Sequence, residues 1–230
     1  MGFKSCKGRG EFCCRHDCIM LFSFSSVDTL YMLLTNLPAF QVLKQKDNSM
    51  GTVDDMFAST YNQALPTNQD ELFILYDQWA DFYDQDFKRF GYNGPQVAAS
   101  ILADHLPDKN ARILDFCSGT GMVGEQLKMQ QFINIDAIDM SPNSLKVSEE
   151  KQVYKTLICS EIGSDPLDIK CYTYDGLVCC GSFVPGHLNQ SCFPEMIRIV
   201  KPGGIIVISM REEYLWTAKE FQNNQLEEAI

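Results

Sequence analysis

The chain has 230 residues, 45% of them hydrophobic and 21% charged, a composition ordinary for a globular protein with one large domain or a smaller one plus an extension. Its formal charge is −11, spread unevenly: residues 1–49 carry Lys4, Lys7, Arg9, Arg15, Lys44 and Lys46 against Glu11, Asp17, Asp28 and Asp47, a net +2, which leaves −13 on the remainder. So acidic a body repels phosphate backbones, which argues against nucleic acid as a partner and for a neutral or cationic small molecule.

Residues 1–49 read as a poorly ordered extension. Residues 18–24 form an apolar run, but Ser23, Ser25, Ser26 and Asp28 break it. It falls far short of the ~20 apolar residues of a spanning helix, so no membrane association is expected. Cys13, Cys14, His16 and Cys18 are ligand types for a metal, yet no second pair has finger spacing, and no metal is expected. The ten cysteines include six, Cys117, Cys159, Cys171, Cys179, Cys180 and Cys192, in apolar contexts of the body. Such cysteines behave as small buried hydrophobes, and the pattern suits a reduced, cytoplasmic protein without disulfides.

Residues 50–110 are expected to be a helical lid or cap. From Gln69 to Phe90, Leu72, Leu75, Tyr76, Trp79, Phe82, Tyr83 and Phe87 recur at helical spacing with acids between them. Gly91 and Gly94 end this amphipathic helix, Pro95 opens a second one through Leu106, and Pro107 closes it.

In residues 111–230 short apolar strands alternate with helices. Residues 111–116 are a strand, followed by a glycine loop and a helix to about Gln130; residues 132–138 are a second strand, ended by Asp139, with Ser141-Pro142 starting the next helix. Weaker strand signals cover 156–159, stronger ones 176–180; helix signals run over 190–200, and the turn 201–204 leads into strand 205–209. The C-terminal "EEYLWTAKEFQNNQLEEAI" reads as one helix. The pattern implies an α/β fold, a doubly wound, mostly parallel Rossmann-like sheet with helices on both faces and ligands at the C-terminal strand ends.

The glycine loop is "DFCSGTGMVG", residues 115–124, with Asp139 one strand later. Its glycines let the backbone approach a ligand, and an acid after the second strand can accept both ribose hydroxyls, so NAD and S-adenosylmethionine fit equally. Asp115 separates them: a carboxylate at the loop entrance repels a pyrophosphate and welcomes an ammonium and a sulfonium.

These motifs resemble the class I S-adenosylmethionine-dependent methyltransferases. "ILDFCSGTGMVG" is similar to the family's first motif, "IDAIDMSPNSL" to its second-strand acid motif, "YDGLVCCGSF" to its fourth strand and "MIRIVKPGGIIVIS" to the turn into its fifth. The aromatic lead-in "LYDQWADFYDQDF" brings it near the methyltransferase-like proteins of the Williams–Beuren syndrome critical region type, over about residues 69–210. The resemblance implies S-adenosylmethionine as cofactor and a small-molecule or protein methyl acceptor. It places Asp115 and the backbone of Cys117, Gly119 and Gly121 at the methionine moiety, Asp139 at the ribose, and Met140 on the adenine. Ser160 and Glu161 would sit near the adenine amino group, Gly181 and Ser182 beside the departing methyl, and Tyr76 and Tyr83 over the site as a lid.

Two departures stand out. Cys117 replaces the motif's first glycine and fits if its φ stays negative. The family's C-terminal antiparallel hairpin is missing, which leaves a sheet edge beside the fifth strand for the extension or a partner to cover. Methyl transfer needs alignment more than a catalytic side chain; where the acceptor must lose a proton, His187 beyond the fourth strand is the candidate base. Against these roles stand plainer ones: Tyr76, Trp79 and Tyr83 as a core stripe, Asp139 as a cap, His187 as a surface histidine, and Cys179-Cys180 as packing on opposite faces of a strand. A truncated, non-catalytic cofactor-binding product is the first alternative and an NAD-dependent oxidoreductase the second.

Overall fold

The computed structural model describes the backbone of strands 19–24, 28–34 and 41–46, and residues 68–163, 166–210, 214–222 and 226. The catalogue opens with β1 (Ile19–Phe24), β2 (Asp28–Leu34) and β3 (Gln41–Lys46). Two helices follow, α1 (Gln69–Arg89) and α2 (Gly94–His105). Asn68 caps α1 by accepting the Glu71 N–H at 2.8 Å, and Pro95 sits in the first turn of α2, where its missing N–H costs nothing.

The α/β part runs β4 (Arg112–Phe116), α3 (Met122–Met129), β5 (Asn134–Asp139), α4 (Pro142–Glu150), β6 (Thr156–Cys159) and β7 (Tyr174–Cys180). A 3₁₀ turn (Gln190–Cys192), α5 (Phe193–Ile199), β8 (Val200–Met210) and α6 (Tyr214–Thr217) complete it. The order across the sheet is β3-β2-β1-β8-β7-β4-β5-β6. β4 pairs with β5 and β7, β5 with β6 and β7 with β8, all parallel. This is the expected Rossmann-like sheet.

The strands are apolar on both faces because helices cover both. Ile113, Ile135, Val178, Ile205 and Val207 pack with Ala98, Ala99 and Leu102 of α2 and Val123 and Leu127 of α3. Leu114, Phe116, Leu177, Cys179, Ile206 and Ile208 face the other way, against Phe193, Met196 and Ile199 of α5 and Tyr214, Phe221 and Leu226. Cys179 and Cys180 fall on opposite faces, as strand alternation requires. β4 and β7 are neighbours although β5 and β6 intervene in sequence, so the winding direction changes between them. The C-terminal ends of β4 and β7 therefore frame the crevice where such folds bind ligands.

One expectation changes and another is resolved. The C-terminal segment is not one helix: α6 stops at Thr217, and residues 218–222 turn so that Ala218 and Phe221 return to the core. The edge of β8 is covered, by the extension rather than by a partner, the first of the two covers expected. β1 pairs parallel to β8, with Ile19 opposite Ile205 and Phe24 opposite Met210, and β2 and β3 follow antiparallel. The segment expected as a separate extension thus supplies strands that satisfy the backbone groups β8 would otherwise present. The cysteine and histidine cluster at 13–18 lies outside the described residues. Among the described residues no helix is long and apolar enough to cross a membrane, and no group of three or more His, Cys, Asp or Glu is arranged to hold a metal.

Candidate functional site

The loop after β4 is built from left-handed turns, with φ of 60° at Cys117, 50° at Gly119 and 89° at Gly121. They fold the loop back on itself, so that Gly121 N–H donates to the Ser118 carbonyl at 2.9 Å and Ser118 N–H to the Ile138 carbonyl at 3.0 Å. A Cβ at Gly119 would meet nothing within 4 Å, which leaves that side open to a ligand. At Gly121 it would meet Ser148 Oγ and Tyr154 Cε2, each at 3.0 Å. Glycine is needed there because α4 and its following loop press on it from beneath.

Cys117 departs from the expectation of a negative φ. The chain must turn left-handed at once on leaving β4, as the family's glycine would, and the thiol is carried onto the core face that includes Cys179. A non-glycine residue in that conformation costs on the order of 1–2 kcal/mol.

Two acids end adjacent strands here. Asp115 is 1% exposed. Its Oδ2 accepts the Tyr154 hydroxyl at 2.5 Å, and that hydroxyl in turn accepts Gly124 N–H at 3.1 Å. Asp115 Oδ1 is buried without a hydrogen-bond partner, and so is Ser118 Oγ in the same loop. Burial pushes the Asp115 carboxyl up to about 7; the Tyr154 hydrogen bond opposes the rise and neighbouring Asp139 adds to it. Asp139 takes Gly119 N–H on Oδ2 at 2.7 Å and Ser141 N–H on Oδ1 at 2.9 Å. Burial raises its carboxyl too, against the pull of backbone N–H groups at Ser141, Gly119 and Met140. Asp139 is thus a loop cap, and each carboxylate oxygen retains a further lone pair.

Helix α1 is stapled over this region by two acids two turns apart. Asp77 accepts Ser141 Oγ–H at 2.7 Å and Asn143 N–H at 3.0 Å, at the start of α4. Asp84 accepts Thr120 Oγ1–H at 2.5 Å and pairs with Lys151, which also reaches Glu125 at 2.9 Å. The aromatic stripe between them is largely core: Trp79 and Phe87 are buried, and Trp79 Nε1–H donates to Asp86 at 2.8 Å. Tyr83 is a different case. It is half-buried, with its ring 4.4 Å from that of Phe87 and 4.9 Å from that of Trp79 between centres, and burial raises its hydroxyl well above the usual value. Tyr76 stacks edge-on with His187 at 5.4 Å between ring centres.

The other expected residues lie around this centre. Met140 is 41% exposed, where a flat ring can cover it. Ser160 donates its N–H to the Asp139 carbonyl at 3.0 Å, whereas Glu161 is exposed at the outer rim. Gly181 and Ser182 follow β7; a Cβ at Gly181 would meet the Tyr92 hydroxyl at 2.9 Å. His187 is half-buried, with Nδ1 3.2 Å from the Pro185 carbonyl. Asp139 and Gly119 are joined by a hydrogen bond and lie in the loop with Asp115, Cys117 and Gly121, while Tyr83, Tyr76 and His187 form a chain of ring contacts, Tyr83 to Tyr76 at 6.2 Å and Tyr76 to His187 at 5.4 Å. Sequence reading missed Tyr154, Ser118, Tyr92, Asp77 and Asp84. Only Asp77 and Asp84 left a trace there, spaced seven apart on one helix face beside Tyr76 and Tyr83.

A family model described as a methyltransferase domain matches residues 113–204. Human methyltransferase-like protein 27 is 32% identical over 139 residues, covering 60% of this chain and 56% of that protein, so the chain spans about half the length of its curated relative. A Methanococcus maripaludis protein assigned to the S-adenosylmethionine-dependent methyltransferases superposes with a TM-score of 0.48, at 21% identity, over 58% of this chain and 63% of its own. An S-adenosylmethionine-bound amino pentose methyltransferase from Micromonospora echinaspora gives 0.45 at 19% identity, over 54% of each chain. At these scores the two solved structures carry no functional argument.

Proposed function

We propose that this chain is a cytosolic methyltransferase of the class I, S-adenosylmethionine-dependent type, transferring a methyl group to a small-molecule or protein side-chain acceptor, a reading supported by the methyltransferase domain model matched over residues 113–204 and by the human relative. One observation carries the reading. Asp115 Oδ1 and Ser118 Oγ are buried and unpaired in a loop whose Gly119 face is open, with a second carboxylate, Asp139, beside it. A buried polar atom without a partner costs about 1–3 kcal/mol, and a ligand ammonium recovers that cost at Asp115. A pyrophosphate worsens it, which disfavours NAD.

Asp115, Ser118 and the loop backbone at Cys117, Gly119 and Gly121 hold the methionine end. Asp139 holds the ribose, and Met140, Ser160 and Glu161 bound the adenine. When bound, the cofactor supplies a methyl group already activated by a sulfonium, so the protein's task is alignment and exclusion of water, effects worth ~7–11 kcal/mol in well-oriented systems. Tyr83 and Tyr76, on the helix that Asp77 and Asp84 staple to the loops, are the lid that excludes water in this reading. Gly181 and Ser182 border the methyl's path, and His187 accepts a proton where the acceptor must lose one. Calorimetry with S-adenosylmethionine, S-adenosylhomocysteine and NAD tests the assignment: micromolar binding of the first two is expected, and binding of NAD alone overturns it. Transfer of labelled methyl to any acceptor separates an enzyme from a non-catalytic cofactor-binding chain.

A further inference from the structure

We infer that Tyr154 is a positioning residue for the cofactor's amino group: its hydroxyl, steadied by Gly124 N–H, holds one oxygen of Asp115 so that the other stays unpaired for the ammonium. The inference rests on the cofactor reading above and concerns a residue outside every motif. Tyr154 lies in the loop between α4 and β6, yet its hydroxyl donates to Oδ2 of the buried Asp115, ahead of the Gly124 N–H as a stabiliser of that carboxylate, while Oδ1 has no partner among the described residues. The ring is wedged against two glycines. A Cβ at Gly124 would stand 2.3 Å from Tyr154 Cζ and Oη, and one at Gly121 3.0 Å from its Cε2. The third glycine of the loop therefore makes room for a tyrosine rather than for the cofactor. Its helical N–H, otherwise without an intrahelical acceptor, closes the chain Gly124 N–H to Tyr154 O–H to Asp115.

The groups around Asp115 explain why such a prop is needed. Asp139 at the end of β5 is a like charge, and the Cys180 thiol of β7 adds none that helps; Lys151 after α4 is the nearby cation, but Asp84 and Glu125 engage it. Burial alone favours the neutral acid, which cannot pair with an ammonium. The Tyr154 hydroxyl is the largest influence keeping the carboxylate charged.

The test is Tyr154→Phe, which removes only the hydroxyl, with S-adenosylhomocysteine and 5′-methylthioadenosine as calorimetric probes. The first carries the ammonium and the second lacks it. Wild-type affinity for S-adenosylhomocysteine should fall as pH drops below about 7, where Asp115 gains its proton. In Tyr154→Phe the midpoint of that fall should move up by about one pH unit, the worth of one charge-assisted hydrogen bond. That gives a roughly tenfold loss at pH 6.5 and less than twofold at pH 8.5. Methylthioadenosine should bind both proteins alike. An equal loss at both pH values, a matching loss for methylthioadenosine, or no loss at all overturns the inference. Gly124→Ala, which drives the ring away with the hydroxyl intact, should reproduce the same pH-dependent loss; unchanged binding there overturns it as well. Failure of the wild-type protein to bind either probe defeats the cofactor reading instead.

Discussion

Asp136 and Asp115 are both buried carboxylates in the middle of the sheet, on adjacent strands β5 and β4, 3% and 1% exposed. At the N-terminal end, Asp136 receives Arg112 through Nε at 2.8 Å and Nη2 at 2.7 Å, plus the Tyr174 hydroxyl at 3.2 Å. Asp175 beside it is held below the usual carboxylate range: burial works upward, but Lys201 at 2.7 Å and Arg112 N–H prevail. At the C-terminal end Asp115 has a tyrosine and no cation in hydrogen-bond contact, and its second oxygen is unpaired. A carboxylate that serves the fold is neutralised within the fold. Asp115, the proposed contact of the cofactor's ammonium, is left short of a charge, and stability is lower for it.

The contrast is broken most severely at the structural end. Asp136→Ala should cost about 3 kcal/mol of unfolding free energy by leaving Arg112 and Tyr174 without their buried acceptor, with cofactor affinity unchanged; urea unfolding and calorimetry read the two. Asp115→Asn should do the opposite. Cofactor affinity falls by ten- to hundredfold, about 1.4–3 kcal/mol. The sign of its stability effect follows from the raised carboxyl: the protonated form's contribution is present below the unfolded value near 3.8 and is lost as pH rises through about 7. The empty variant should therefore melt a few degrees above wild type at pH 8, the gap shrinking as pH falls from 7 and closing only below about 3.8, by scanning calorimetry.

Asp139→Ala should weaken S-adenosylhomocysteine binding by about 1–3 kcal/mol, since it removes the proposed ribose acceptor and frees Gly119 N–H. Cys117→Gly relieves a left-handed residue at the loop's first turn and should gain about 1 kcal/mol in stability with slightly tighter binding. Smallest of all, His187→Ala should change cofactor affinity by less than about twofold. A drop in kcat at unchanged cofactor affinity marks it as the base; unchanged kcat leaves it an aromatic contact of Tyr76.

The amino-acid sequence by itself determined the alternation of strands and helices, the parallel sheet and the neighbourhood of Asp115, Gly119, Gly121 and Asp139. Those signals are local: apolar runs, glycines after a strand, an acid ending the next one. Tertiary structure alone decided the rest. Tyr154 and Asp115 are separated by 39 positions and meet only when α4 returns to the sheet, so no spacing rule connects them. Cys117 gave no sign of its left-handed φ, because the turn is imposed by the hydrogen bonds of Ser118 and Gly119 to the neighbouring strand end. The N-terminal strands were illegible for the same reason. Their place beside β8 depends on pairing across some 180 positions, where a free sheet edge supplies the partner that local pattern cannot announce.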